Sequence, residues 1–196
     1  MFKQAHKWIL ASSSPRRRDM LNRYCFDFTP HSPFVDESIK DNENPLAYTK
    51  RIAQKKARFV ANLHKNIPVV IAADTIIALG KEIITKPDNQ KSALKSLLNL
   101  NGKVHDVYTA VAIHLSEQNN IYFYAKTKVE FFSHPTKLLE SYIQTKEYLD
   151  KSGAYSIEEL GTFLIKKING SWNSVVGFPI ELFIQHALSA NLIKPI

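Results

Sequence analysis

The sequence predicts an α/β fold with α+β character, built as a mixed, twisted sheet flanked by helices. Three observations carry that expectation. Val69–Ala73 is a short apolar run after Pro68, the pattern of a strand buried on both faces. Val104–Leu115 and Ile121–Phe132 alternate in polarity and are separated by a short polar stretch, Glu117–Asn120, as in a long antiparallel hairpin. Between such runs lie segments of helical period opened by helix-start signals, as in Asn44–His64 and Asp88–Leu100. Strands mixed with helices in this way indicate a sheet with both parallel and antiparallel neighbours.

Taken in order, Lys7–Ala11 is the first strand. Ser14 and Pro15 then open a helix, with Ser14 as N-cap and Pro15 at the first helical position. Phe26–Phe34, broken by Pro30 and Pro33, reads as an edge strand. Asn44-Pro45 starts a long helix to His64, with Leu46, Ile52, Ala53, Ala57 and Val60 near helical spacing and a basic wet face from which one lysine can enter a cleft. In the central stretch Asp74 ends the Val69–Ala73 strand. Gly80-Lys81 turns the chain and Glu82–Thr85 returns as a hairpin, bringing Lys86 back towards Asp74. Asp88 caps the next helix, which buries Ala93, Leu94, Leu97 and Leu98 and stops at Asn101-Gly102. After the long hairpin, Pro135-Thr136 starts a helix to Thr145. A loop over 150–161 leads into a strand at Thr162–Ile168, and Pro179 opens a C-terminal helix to Ala190.

At 196 residues with 44% hydrophobic content, the expectation is a single domain over residues 1–196 with a full core and room for two lobes about a central cleft. The net charge of +8 implies an anionic partner: nucleotide, nucleic acid or membrane surface. Cys25 is the only cysteine, which excludes an intrachain disulfide and zinc-finger spacing and favours a reducing compartment. The early apolar run at Trp8–Ala11 is too short for a signal peptide, and no run approaches the ~20 apolar residues of a spanning helix. A soluble cytoplasmic protein with no membrane partner is expected.

The chemistry-bearing residues gather in a few places. Ser12, Ser13 and Ser14 precede Arg16, Arg17 and Arg18 at a strand-to-helix junction. Free N–H groups at a helix start suit phosphate, and guanidinium groups add paired donors. Arginine in a first helical turn opposes the helix dipole, so an external anion would account for Arg16 and Arg17, although a solvated basic start beside Asp19 gives the same pattern. Asp74 with Lys86 reads either as a functional pair or as an ordinary ion pair at a hairpin base. His105 reads as a structural ring donating to a loop carbonyl. His31, His64, His114, His134 and His186 lack metal-ligand spacing. Cys25 reads as packing, and Trp172 and Tyr155 are aromatic groups able either to stack on a base or to pack.

In sum these motifs resemble the Maf family of nucleotide pyrophosphatases, of inosine-triphosphatase-like (Maf/Ham1) fold. The resemblance rests on ASSSPRRRDML at 11–21, VDE at 35–37, AQKKA at 53–57, AADT at 72–75 and KP at 86–87. It continues with NGKVHDVYTAV at 101–111, DKSGAY at 150–155 and INGSWNSVVGFP at 168–179, and so spans nearly the whole chain. It implies hydrolysis of a nucleoside triphosphate to the monophosphate and pyrophosphate with a divalent metal, Mg²⁺ or Mn²⁺. Residue by residue, it makes Asp74 the proton acceptor and Lys86 a catalytic cation. Ser12, Ser14, Arg16, Arg17, Lys56, Thr75 and Glu158 become substrate-binding, and Glu37 with Asp74 become the metal ligands. A homodimer is a further expectation of the family.

One departure bears on the substrate. Glu158 stands where many members of the family, those acting on thymidine and uridine triphosphates, carry glutamine. An ionised carboxylate only accepts hydrogen bonds, which suits the N–H donors of a guanine edge and so a substrate such as 7-methylguanosine triphosphate. The neighbouring GAY and INGS segments resemble the glutamine branch, so the nucleobase stays open. The alternative function is a regulator of cell division or septum formation that binds nucleotide or nucleic acid without turnover. Against nucleic acid stand the lack of a recognition motif and the two carboxylates Glu37 and Asp74.

Overall fold

The computed structural model describes residues 1–116 and 119–196. In chain order the elements are β1 (Phe2–Gln4), β2 (Trp8–Ala11), α1 (Pro15–Arg23), β3 (Phe28–Pro30), α2 (Pro45–Leu63), β4 (Val69–Leu79), β5 (Glu82–Ile84), α3 (Gln90–Leu100), β6 (Val104–His114), β7 (Asn120–Phe131), α4 (Thr136–Gln144), β8 (Ile165–Asn169), α5 (Trp172–Val176), α6 (Ile180–Ser189) and β9 (Ile193–Pro195). The main sheet runs β3-β2-β4-β6-β7-β8, with β5 paired to β4. It is mixed, as expected: β2 is parallel to both β3 and β4, whereas β4–β5 and β7–β8 are antiparallel. The few residues between β6 and β7 also require an antiparallel pair, since a parallel return needs a dozen or more. The expected turn at Glu117–Asn120 lies partly outside the described residues.

The chain forms two compact units. The first comprises 1–74, 109–124 and 177–196, and the second 75–108 and 125–176. In the first, Ala53, Ala57 and Val60 of α2 pack on Ile9, Ala11, Val70, Ala72, Ala110 and Ala112 of the sheet. Alanines on both sides let the helix backbone approach the strands closely. Phe183 of α6 meets Trp8 edge-on at 5.6 Å. β1 pairs with β9 antiparallel in a separate ribbon. Neither strand was expected from the sequence, because three residues carry too little periodicity.

The second unit has its own core, with Ile77, Ile84, Leu97, Val107, Val129, Phe131 and Leu139 among its buried residues. Here α3 begins one residue later than expected. Asn89, not Asp88, is the N-cap, in a reciprocal capping box with Ser92. Leu98, expected in the core, is 41% exposed, and Leu100 is buried instead. The expected strand at Thr162–Ile168 starts only at Ile165, because Leu160–Leu164 forms a 3-10 turn. Ser152 stitches the β4–β5 hairpin, its hydroxyl donating to Ile84 O and accepting from Ile77 N.

His105 is structural, but its partner is not a carbonyl: its Nε2 lies 2.9 Å from the Tyr155 hydroxyl, and its ring meets Phe131 edge-on. Tyr155 is 5% exposed inside this core, which withdraws it as a base-stacking residue; Trp172 is 46% exposed. Cys25, expected to pack, is exposed. Burial pushes the His105 pKa from 6.5 down to about 4, against the pull of Asp106. The unfolded chain therefore takes up a proton that the native state refuses. Stability should be full above pH 6.5 and should fall as pH drops towards 4, by on the order of 3 kcal/mol. Urea titrations at stepped pH test this: the acid-side loss should shrink in His105→Gln, and an unchanged slope would remove His105 as its source.

Candidate functional site

The site is built where β2 ends and β4 continues. Ala11 pairs with Ala72, so β4 runs on to Asp74 while β2 gives way to the Ser12–Ser14 loop and α1. β2 leads through α1 to its neighbour β3, whereas β4 runs on into its hairpin with β5. The carboxyl ends of neighbouring parallel strands are the usual ligand site of an open α/β sheet. Asp74 is thus not at a strand end, as the sequence suggested. It lies within an eleven-residue strand that continues to Leu79, its carboxylate carried by the backbone of the sheet.

Asp74 is 5% exposed. Its Oδ1 accepts from Lys56 Nζ at 2.7 Å, and its Oδ2 is buried with no hydrogen-bond partner. The same Lys56 ammonium lies 2.9 Å from Glu37 Oε1, whose side chain is 42% exposed. Lys56 comes from α2 and is itself buried, so of the basic residues on that helix this is the one that enters the site. Lys86 was the expected partner of Asp74. The β4–β5 pairing stops at Ile77↔Ile84, and Lys86 lies beyond it, exposed.

Ser12, 4% exposed, is the hub of the serine loop. Its hydroxyl accepts from Ser14 N at 3.1 Å and from Arg17 Nη1 at 3.3 Å. Ser14 is the N-cap residue of α1, but its side chain makes no capping bond, because the serine turn already occupies the loop. Arg17 Nε donates to Gly177 O at 2.8 Å. Burial lowers the Arg17 pKa, and neighbouring Arg16 adds to this, while Asp74 and Glu37 oppose it. A guanidinium turned onto this loop suits a ligand bearing phosphate oxygens. The same two carboxylates act on Tyr48, whose hydroxyl is pushed up to about 12, first by burial and then by Asp74 and Glu37.

Ser12, Arg17, Glu37, Lys56 and Asp74 are therefore assembled in the first unit, with Ser14 and Arg16 on the same loop and helix start. Thr75, Lys86 and Glu158 belong to the second unit. Glu158 is exposed, its backbone N–H turned onto Ser156 Oγ at 3.2 Å.

The family model for Maf-like protein matches residues 7–189. The chain belongs to the Maf family. Similar proteins in that family include the dTTP/UTP pyrophosphatase of Nitratidesulfovibrio vulgaris, 39% identical over 91% of this chain and 85% of that one. That of Thermosipho africanus is 41% identical over 89% and 88%, and that of Bacillus mycoides 38% identical over 91% and 93%. Among solved structures, the nucleoside-triphosphatase / dITP/XTP pyrophosphatase of Mycobacterium abscessus covers 94% of this chain and 96% of its own, at a TM-score of 0.46 and 13% identity. No helix among the described residues is long and apolar enough to cross a membrane.

Sequence reading missed Tyr48, Arg51 and Glu43, which surround the Glu37 loop. Tyr48 OH donates to Glu37 O at 2.8 Å, and Arg51 forms a two-pronged pair with Glu43. The spacing of Tyr48 and Arg51 on one helix face was visible, but nothing marked that face as turned to a loop.

The buried pair makes a stability prediction. Lys56→Met strands a buried carboxylate, at a cost of about 3–5 kcal/mol. Most of that cost should return in Lys56→Met combined with Asp74→Asn. Equal losses in single and double variants, measured by urea unfolding, would mean that Lys56 acts by packing instead.

Proposed function

We propose that this Maf protein hydrolyses a pyrimidine nucleoside triphosphate of the dTTP/UTP class to the monophosphate and pyrophosphate at the Asp74 site. The observation that carries the reading is the Asp74 carboxylate: buried, anchored by Lys56 through one oxygen, and unpartnered at the other. A buried acceptor left open in this way costs stability unless a ligand uses it. The pyrimidine preference is supported by the relatives at 37–41% identity, which carry the name dTTP/UTP pyrophosphatase.

A divalent cation, Mg²⁺ or Mn²⁺, fits the residues present. Among the described residues no cluster of three or more His, Cys, Asp and Glu can hold a metal. Two carboxylates suffice, because Mg²⁺ is usually held by one or two carboxylates together with substrate phosphates. Glu37, together with substrate phosphate oxygens and in the field of Asp74, would hold it, and when bound it would supply Lewis-acid neutralisation of phosphate charge. The protein's own residues do the rest. Arg17, with Arg16 beside it, and the Ser14 hydroxyl, which makes no capping bond, bind phosphate oxygens. Water attacks the α-phosphorus, its oxygen forming the new P–O bond as the α–β anhydride breaks and the electron pair leaves with pyrophosphate. Asp74 Oδ2 takes the proton of that water, and Lys56 holds the carboxylate in place through Oδ1. Thr75, Lys86 and Glu158 are substrate-directed residues on the strength of their motifs.

The test is a panel of dTTP, UTP, CTP, GTP, 7-methyl-GTP and ITP with Mg²⁺ or Mn²⁺, with monophosphate and pyrophosphate resolved by chromatography. Pyrophosphate from dTTP and UTP is expected, and Asp74→Asn should lower kcat by about 10²–10³ while remaining folded. Preferential turnover of 7-methyl-GTP would overturn the pyrimidine assignment, and near-normal turnover by Asp74→Asn would overturn the role of Asp74. Glu158→Gln restores a donor towards a pyrimidine carbonyl. It should raise kcat/KM for dTTP relative to GTP by roughly tenfold, the size of one hydrogen bond; an unchanged ratio would separate Glu158 from base recognition.

A further inference from the structure

The loop that carries Glu37 has no regular secondary structure, so its carbonyls have no ladder to join. Three successive carbonyls are instead taken by three side chains of one helix. Lys55 Nζ donates to Asp36 O at 2.8 Å, Tyr48 OH to Glu37 O at 2.8 Å, and Arg51 Nη2 to Ser38 O at 2.9 Å. Positions 48, 51 and 55 follow the i, i+3, i+7 rule and share one stripe of α2, and Lys56, next along the helix, holds the Glu37 carboxylate itself. The donors are fixed in turn. Glu43 grips Arg51 at 2.6 Å through both carboxylate oxygens, and Tyr48 is 4% exposed with Arg51 over its ring. Within the loop, Asp36 accepts from Ser38 N and Ser38 Oγ, which closes a local turn around Glu37.

We infer that Tyr48, Arg51 and Lys55 form a template that sets the position of Glu37 against Lys56 and Asp74, and that they are positioning residues for the cation-dependent reaction. This rests on the proposed reading of Glu37 as a cation-directed carboxylate. A group that is half in solvent on an irregular loop would otherwise sample many positions. The template removes that freedom at the backbone and leaves the carboxylate open to a ligand. Partners that orient a ligating carboxylate typically change metal affinity by about 10- to 100-fold when removed.

The experiment measures the affinity of the full-length protein for Mn²⁺ with α,β-methylene-UTP by calorimetry, beside the apparent KM for Mg²⁺ and kcat in turnover. Glu37→Gln serves as the reference. Tyr48→Phe and Lys55→Met, which delete single donors, should each weaken the Mn²⁺ complex by about tenfold and raise the apparent KM for Mg²⁺ more than they lower kcat, with thermal midpoints near that of the wild type. In the Glu37→Gln background, Tyr48→Phe should have no further effect on Mn²⁺ affinity, because it acts only through Glu37. A purely structural role would give the same loss in both backgrounds and would overturn the inference, as would wild-type affinity in Tyr48→Phe and Lys55→Met. If Glu37→Gln itself binds Mn²⁺ as tightly as wild type, the reading of Glu37 fails and the template inference falls with it. If only the template variants are silent, the inference alone fails and the reading of Glu37 stands.

Discussion

The contact between Lys56 and Asp74 is the constraint around which the first unit is arranged. Both side chains are nearly withdrawn from water, at 10% and 8% exposure. Each ion loses several kcal/mol of hydration on burial, which a single 2.7 Å contact offsets only if the geometry is held. The fold holds it from both ends. Asp74 is carried inside a strand and not by a flexible turn. Lys56 is carried by a nineteen-residue helix whose Ala53 and Ala57 lie against strand alanines, so the helix sits close enough for the ammonium to reach Asp74 on β4. Larger residues at 53 or 57 would push α2 outward and pull the two charges apart.

The arginines at the start of α1 follow from the same constraint. A cation there opposes the helix dipole, and no acidic residue occupies the first turn to relieve it. Arg17 is instead directed back across the loop, to Ser12 Oγ and to the Gly177 carbonyl, within the field of Asp74 and Glu37. The local disadvantage at the helix start is thereby offset by tertiary contacts.

Much of this was legible in the sequence where a residue type contradicted its local environment. Arg16 and Arg17 in a first turn and Asp74 next to an apolar strand each broke a local rule. What stayed hidden had no such signature. Nothing local told which of Lys50, Lys55 and Lys56 turns inward, because that depends on the helix's rotation against the sheet. The end of β4 was misread because an acid normally marks a strand end, whereas here Lys56 neutralises it within the strand. From the sequence Tyr155 is able either to stack on a base or to pack, because it lies in a turn-rich segment. In the fold Gly153 adopts φ +69°, and a Cβ there would stand 2.5 Å from Ile77 Cδ1, so the loop is pressed into the core and not lifted from it.

The loop bearing Glu158 illustrates why a motif departure is hard to interpret from sequence. Glu147, absent from every motif, accepts from Leu160 N and Gly161 N at 2.9 Å each and from Tyr142 OH at 3.0 Å. The carboxylate satisfies adjacent backbone donors that an irregular segment leaves without partners. A Cβ at Gly161 would lie 2.6 Å from Ser156 O, so the chain there doubles back on itself within van der Waals limits that only glycine meets. The segment is therefore pinned by Glu147 and by its own backbone, independently of the side chain at 158. Exchange of glutamine for glutamate at 158 changes the hydrogen-bonding character of the group presented without moving the backbone that presents it. A fixed frame of this kind is the condition under which a single substitution alters donor and acceptor chemistry and leaves the fold untouched.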